Sequence, residues 1–212
     1  MVNQKSLKVL PSGNRFERRK ERTRQDLLAA AVRVLAHKGF HDTKIADIAA
    51  AADVGVGTFY LHFETKDSLF DALVDETIAR LKATVDAARR ATDDPIERMT
   101  RANVAFCRFA QENREVFRIV FGHPAAYHDA IRRAQSLFAA DVEENIRHGI
   151  AAGAFAPIPT AVAAQAMVGM ATQLLSWWAE HESVAIETLQ DAMTTIALHG
   201  IVPAAQNAKG TR

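Results

Sequence analysis

Hydrophobic periodicity constrains this chain most. Nearly every segment of its 212 residues repeats its apolar side chains at three- and four-residue intervals, and no Val/Ile/Thr alternation is paired with a hairpin turn. The pattern predicts an all-α protein. Leu28, Ala31, Val32 and Leu35 form one stripe on a helix that stops at "KGF", where Gly39 suits the left-handed position after a C-terminus and Phe40 folds back on the last turn. Ile45, Ile48, Ala49 and Ala52 fall at i, i+3, i+4 and i+7 on a short second helix started by Thr43. A break at Asp53 and Gly55 leads into "GVGTFYLHF" (55–63), and "ETKDSLF" then opens a long helix carrying Leu69, Phe70, Leu73, Val74, Ile78, Leu81 and Val85. Beyond it, "DDPIE" starts a helix with Asp94 as cap, Pro95 first and Glu97 reaching back. "ENREVFRIVFGHP" reads as a short helix stopped by Gly122 and Pro124, and further helices are expected at about 126–152, 160–181 and 185–198.

Apolar residues make up 49% of the chain, ample for a core, and the formal net charge of +1 hides an asymmetry. Residues 1–70 hold 12 Lys/Arg against 8 Asp/Glu, so the basic character is concentrated there. The one cysteine, Cys107, excludes an internal disulfide and a cysteine-based zinc site, which suits a reducing cytoplasm. The first residues have no apolar stretch of the kind a secretory signal needs. The longest apolar run, 161–178, is interrupted by Gln165, Thr172, Gln173 and Ser176 and reads as a buried helix, so no membrane partner is expected.

The stretch 55–63 carries the functional signal. Projected on a helix, Phe59 and Phe63 share one side, Gly57, Thr58 and Leu61 lie opposite, and Tyr60 and His62 flank them. One face is anchored and the other is free. Together with "IADIAAAADV" before it, this makes a helix-turn-helix, whose second helix enters the major groove of DNA. Glycine at 57 allows close approach, and the hydroxyls of Thr58 and Tyr60 reach phosphate or base edges. The angle of Val56 lies near that of Phe59, which leaves open whether it packs inward or meets a thymine methyl. In "DTKIA" and "ETKDS" a Thr stands where a helix cap belongs, with Lys44 or Lys66 in the first turn. A lysine there opposes the helix dipole unless the helix start faces an anion, and two such starts flank the candidate recognition helix.

These residues, chiefly "LLAAAVRVLAHKGF" and "IADIAAAADVGVGTFYLHFETKDSLF", resemble the TetR family of bacterial transcriptional regulators over about Arg24 to Phe70. The resemblance implies that Lys44, Val56, Gly57, Thr58, Tyr60, His62 and Lys66 occupy positions that commonly touch DNA. Asp53 stands where the family usually has glycine and Gly55 where it usually has serine; Asp tolerates turn conformations, and Gly as a cap costs only a few tenths of a kcal/mol. The resemblance also implies a subunit with a three-helix DNA-binding domain, joined by a long helix to a variable C-terminal domain that dimerises and binds a small inducer. The expected organisation is a flexible basic arm at 1–17, a DNA-binding domain at 18–64, a ligand-binding and dimerisation domain at 65–203 and a frayed tail at 204–212. Arg18, Arg19, Lys20, Arg22 and Arg24 would add backbone or minor-groove contacts.

In the C-terminal part, Phe106, Phe109, Phe117, Phe121, Tyr127, Phe138, Met167, Met170 and Trp177 are bulky and few polar groups interrupt them, as in an apolar small-molecule pocket; plain core packing explains each singly as well. Asn103, Gln173 and His123 are the polar candidates. "AVAAQAMVGMATQLLSWWAEH" and "IETLQDAMTTIAL" would form a four-helix homodimer interface, and Trp177 and Trp178, about 100° apart on a helix, need two different partners. The expected function is a repressor of a palindromic operator released by an apolar or amphipathic inducer. An activator or architectural DNA-binding protein without an inducer is the alternative. A metal-dependent enzyme is the remote one: neither His123, His128 and Asp129 nor Glu180, His181 and Glu182 has the spacing of a metal or acid–base site. No cofactor or metal is expected.

Overall fold

The structure is a computed structural model describing residues 15–122, 124–181 and 183–201, without the side chains of 121–128, 130, 200 and 201. All regular structure among the described residues is helical: α1 (Arg15–Asp42), α2 (Ile45–Ala51), α3 (Val56–Tyr60), α4 (Lys66–Arg90), α5 (Pro95–Glu112), α6 (Arg114–Gly122), α7 (Pro124–Ala151), α8 (Thr160–Glu180) and α9 (Ile186–Ile201). The chain divides into two compact units, Met1–Phe70 and Asp71–Arg212, with the boundary inside α4. Residues 15–17, expected in an arm, are helical, so the basic sequence from Arg15 to Arg24 is the first part of α1. The rest of the expected arm, and the tail after 203, lie outside the described residues.

In the first unit, α1 buries Leu27, Leu28, Ala30, Ala31 and Leu35, a stripe set by helical periodicity. Its helical run breaks at Gly39, where φ is 74° and ψ is 169°. The positive φ is as expected, but the extended ψ is not that of the left-handed helix; it belongs to a region open essentially to glycine alone. Phe40 then meets Phe70 edge to face at 5.7 Å. Thr43 does not cap α2, contrary to expectation: it is buried and its hydroxyl donates back to the Gly39 carbonyl at 2.6 Å. Lys44 holds the cap position instead, and its N–H donates to Asp47 at 3.0 Å. Lys38 pairs with the same carboxylate at 2.9 Å, joining α1 to α2. Those two donors, Lys38 first, hold Asp47 below the ordinary carboxylate range. Thr65, by contrast, does cap α4, in a reciprocal exchange with Ser68 at 3.0 and 3.1 Å.

In the second unit, Asp94 caps α5 by accepting from the Glu97 N–H at 2.8 Å, and Pro95 stands first. The Glu97 carboxylate reaches back to the Thr92 hydroxyl (2.6 Å), not to the cap N–H. Cys107, Ala110, Leu175, Trp178, Ile186, Leu189 and Met193 form a core between α5, α8 and α9. Trp178 is fully buried, yet its indole N–H donates to the Val184 carbonyl at 2.9 Å. Arg114 lies 4.2 Å over its ring and donates to its carbonyl, closing α6 onto the end of α8. After α7, Phe155 folds back so that its ring fills the space a β-carbon on Gly149 would occupy.

Candidate DNA-facing surface and ligand cavity

The turn between α2 and α3 is built around Asp53, at φ 54° the one non-glycine with positive φ among the described residues. Asp is among the few L-residues that visit this conformation readily. The Val54 N–H donates to the Ala49 carbonyl (3.0 Å), and Arg33 from α1 donates to the Ala51 carbonyl (3.0 Å), satisfying two groups at the end of α2. Gly55 then opens α3 in extended conformation.

Only five residues are helical in α3, and Phe59 is fully buried beneath them. The chain leaves by a tight turn in which the Phe63 N–H donates to the Phe59 carbonyl at 3.0 Å, and Phe63 is buried as well. The two rings lie 5.8 Å apart, with the Arg24 guanidinium over Phe63. The phenylalanines anchor, as expected. On the opposite side Val56, Tyr60 and Leu61 are 42, 56 and 75% exposed, so Val56 faces outward. Tyr60 stands edge-on against Phe59, which fixes the base of its ring and leaves the rest outside. Gly57 is exposed with open space around a would-be β-carbon, so nothing inside the unit demands glycine there. Thr58 is half-buried and Lys44, at the start of α2, is exposed.

Two of the expected DNA contacts sit differently. The Lys66 ammonium is turned toward the α1–α2 connection, donating to the carbonyls of Phe40 (2.5 Å) and Thr43 (2.9 Å) and lying 4.3 Å over the Phe40 ring. His62 is half-buried, and its Nδ1 is buried without a hydrogen-bond partner among the described residues. Burial first, then the positive charges of Lys20 and Arg24, hold its pKa below the ordinary histidine value.

The second unit holds a half-open cavity of about 200 Å³. Its walls are Val74, Ile78, Leu81 and Val85 of α4, Met99 and Phe106 of α5, Val116, Phe117 and Val120 of α6, Ile131, Phe138 and Val142 of α7, Met167, Val168, Met170 and Leu175 of α8, and Met193 and Leu198 of α9. Of the residues expected around a ligand, Asn103, Phe106, Phe117, Met167 and Met170 line it. Asn103 is already engaged: its amide donates to the Gln190 carbonyl (3.0 Å) and the Thr194 hydroxyl (2.6 Å). Phe109 does not line the cavity but backs its wall, packed on Leu81 and Val85 and edge-on to Phe117. Gln173 and Trp177 lie on the other side of α8, exposed, because residues 167, 168, 170, 171 and 175 take the inward face. Trp177 stacks on His181 at 4.4 Å. The side chain of Phe121 and all of His123 lie outside the described residues.

The sequence reading missed Thr77, Arg89 and Asn145 in the wall. The available signal was position: Asn145 continues the α7 stripe of Ile131, Phe138 and Val142 as a polar residue at an apolar phase. No group of three or more His, Cys, Asp or Glu among the described residues could hold a metal ion, and no helix among them is long and apolar enough to cross a membrane.

Comparison with known proteins matches both units. Residues 27–73 match the family model "Bacterial regulatory proteins, tetR family", and residues 92–201 match "Tetracyclin repressor-like, C-terminal domain". The transcriptional activator FasR of Mycolicibacterium smegmatis is 32% identical over 109 residues, 51% of this chain and 49% of its own, so the chain matches about half the length of that relative. The regulator YhgD of Bacillus subtilis is 23% identical over 180 residues, 82% of this chain and 94% of its own. Among solved structures, the fatty acid degradation regulator FadR from Bacillus halodurans superposes with a TM-score of 0.76 at 20% identity, covering 83% of this chain and 94% of its own. With its helix-turn-helix in the first matched region and the cavity helices α5 to α9 in the second, the chain belongs to the TetR family of bacterial transcriptional regulators.

Proposed function

We propose that this regulator is a repressor that binds a palindromic operator as a homodimer and is released by a small apolar or amphipathic molecule. The observation that carries the reading is the apolar cavity lined by α4 to α9 in a chain whose other unit presents α3 outward. Val56, Gly57, Thr58 and Tyr60 meet the major groove, with Lys44 on the adjoining phosphate and His62 and Lys66 beneath the interface, where Lys66 fixes the α1–α2 connection. Exposed Val162 and Trp177 on α8 and Ile196 on α9 support a dimer built from these two helices. A ligand in the cavity touches α4 through Val74, Ile78, Leu81 and Val85, and a shift of that helix would change the spacing of paired recognition helices. A coupling of about 1–3 kcal/mol suffices for regulation. The names of the relatives include an activator, so the sign of regulation is tested as well.

Selection of duplexes from a random pool by the full-length protein, with Tyr60→Phe and Lys44→Ala variants alongside, tests the reading. Recovery of a palindrome that both variants bind more weakly supports it. A selected site without two-fold symmetry, or one the variants bind unchanged, overturns it. A reporter driven from the selected site then gives the sign of regulation.

A further inference from the structure

We infer that the cavity is a slot for one extended, unbranched aliphatic chain, with the ligand's polar group at an end of the slot and none along its length. This rests on the ligand-responsive reading above. The shape follows from which residues form the walls. On α4 they run from Val74 to Arg89 along a single helical face, and on α7 from Ile131 to Asn145 along another. At about 1.5 Å per residue each of these stripes is roughly 20 Å long.

Contacts at three levels keep the two stripes side by side over that length. Asp75, next to Val74, meets Arg133, two residues beyond Ile131, at 3.5 Å. In the middle, Leu81 and Val85 pack with Phe106, Phe117 and Phe138. Farther along, Asp141 lies 2.6 Å from Lys82 and 3.1 Å from Arg89. Residue numbers rise together on both helices, so α4 and α7 run in the same direction and the walls share their two ends. The α5 wall runs the other way: Pro95, at its start, bonds Asn145 at one end of the slot, and Phe106 reaches the middle. The volume is small for such a length. Gathered into a sphere, 200 Å³ would be only about 7 Å across. Drawn out along the walls, it admits a narrow body, and the rings of Phe106, Phe117 and Phe138 line its middle.

The polar side chains of the wall are mostly engaged with the protein. Thr77, Thr100 and Thr172 each donate to the carbonyl four residues back on their own helix. The Asn103 amide donates to α9 and the Asn145 amide to the Pro95 carbonyl. Arg89 is paired with Asp86 and Asp141. A polar group midway along a ligand therefore loses its water and gains little in return, whereas a methylene there loses nothing.

The test is calorimetric titration of the full-length protein with octanoate, decanoate and tridecanoate below their micelle concentrations, and with cyclododecanecarboxylate. The last has the carbon number of tridecanoate closed into a ring, shorter and wider at nearly the same apolar content, and the shared carboxylate cancels in every comparison. Affinity should rise about fourfold per added methylene, and tridecanoate should bind at least tenfold more tightly than the ring. Ala134→Phe, which sets a ring into the wall near Ile131, should weaken tridecanoate at least tenfold. Unchanged binding by a folded Ala134→Phe protein would place the chain outside the slot and overturn the inference; if that variant does not fold, the wild-type comparison of chain and ring decides alone. Equal or tighter binding of the ring, with release of the operator, overturns the slot and leaves the ligand-released reading standing. Binding of none, with operator affinity unchanged by all four, overturns both, while duplex binding by the same preparation keeps the DNA-binding reading separate.

Discussion

The two units dispose their chemistry in opposite senses. The first buries aromatic rings and sets small and polar residues outside, so that within the five-residue α3 Val56, Gly57 and Tyr60 stand exposed above buried Phe59. The second faces apolar side chains inward around a space and places its few polar atoms where most of them satisfy one another. A surface that reads a long polymer needs rigidity beneath and openness above. A site for a small molecule needs a space with apolar walls around it.

The contrast breaks most visibly at neighbouring residues of α3. Phe59→Ala should destabilise the first unit by about 3–5 kcal/mol and abolish operator binding through unfolding, whereas Tyr60→Ala should leave thermal stability within about 0.5 kcal/mol and still weaken operator binding about tenfold. Equal loss of stability in both would show that the outward face also holds the fold. Lysines offer the next test. Lys66→Met should cost about 1–3 kcal/mol in denaturant titration, because its two carbonyl partners lose a charged donor, with little change in the salt dependence of DNA binding. Lys44→Met should do the reverse, lowering the log–log salt slope by about one. A slope change on Lys66→Met would return that residue to the phosphate-contacting set.

Glycines sharpen the comparison at smaller scale. A β-carbon at Gly149 collides with the Phe155 ring, so Gly149→Ala should destabilise the second unit by about 1–3 kcal/mol. Gly57→Ala meets open space and should raise helix stability by up to about 1 kcal/mol, yet reduce operator affinity if the backbone must approach DNA closely. Thermal unfolding and fluorescence anisotropy on the same preparations separate the two.

The smallest predicted effects lie in pH. The unfolded chain protonates His62 below its ordinary 6.5, while the folded unit resists. Stability of the first unit is therefore full above 6.5 and declines as pH falls through the folded value, and His62→Gln should flatten that decline. For Asp86, burial is the largest single influence and pushes the carboxyl up, but hydrogen bonds and charges from Lys82 and Arg89 outweigh it, and the net shift is downward from 3.8. Its contribution is full above 3.8 and lost only as pH falls below that value. Differential scanning calorimetry over a pH series should show the first unit weakening in milder acid than the second.

These contrasts also explain what could be read from the sequence. Helical class, the α2–α3 turn, the Phe59 and Phe63 anchors and the caps at Thr65 and Asp94 are decided by residues within a few positions of one another, so periodicity and turn chemistry reveal them. The direction of Lys66 was not legible, because its carbonyl partners lie 23 and 26 residues away and are set by the bend at Gly39. The cavity draws on six helices. Composition indicated its apolar character, but which face of α8 turned inward decided against Gln173 and Trp177, and that depends on how α7, α6 and α9 pack around it. Asn145 escaped notice for the same reason: its hydrogen-bond partner, the Pro95 carbonyl, lies fifty residues away.

One consequence concerns how such a regulator can be watched at work. Cys107 is the chain's sole cysteine; it is 1% exposed and donates to Asn103 Oδ1 at 3.7 Å, and burial pushes its thiol up to about 11. At neutral pH almost none of it is thiolate, so maleimide dyes and nitroxide reagents should pass it by. The natural sequence therefore serves as its own silent background. A second cysteine placed at exposed Leu61 would take a single probe in each subunit, and distances between paired probes could be followed by spectroscopy as operator and ligand are added.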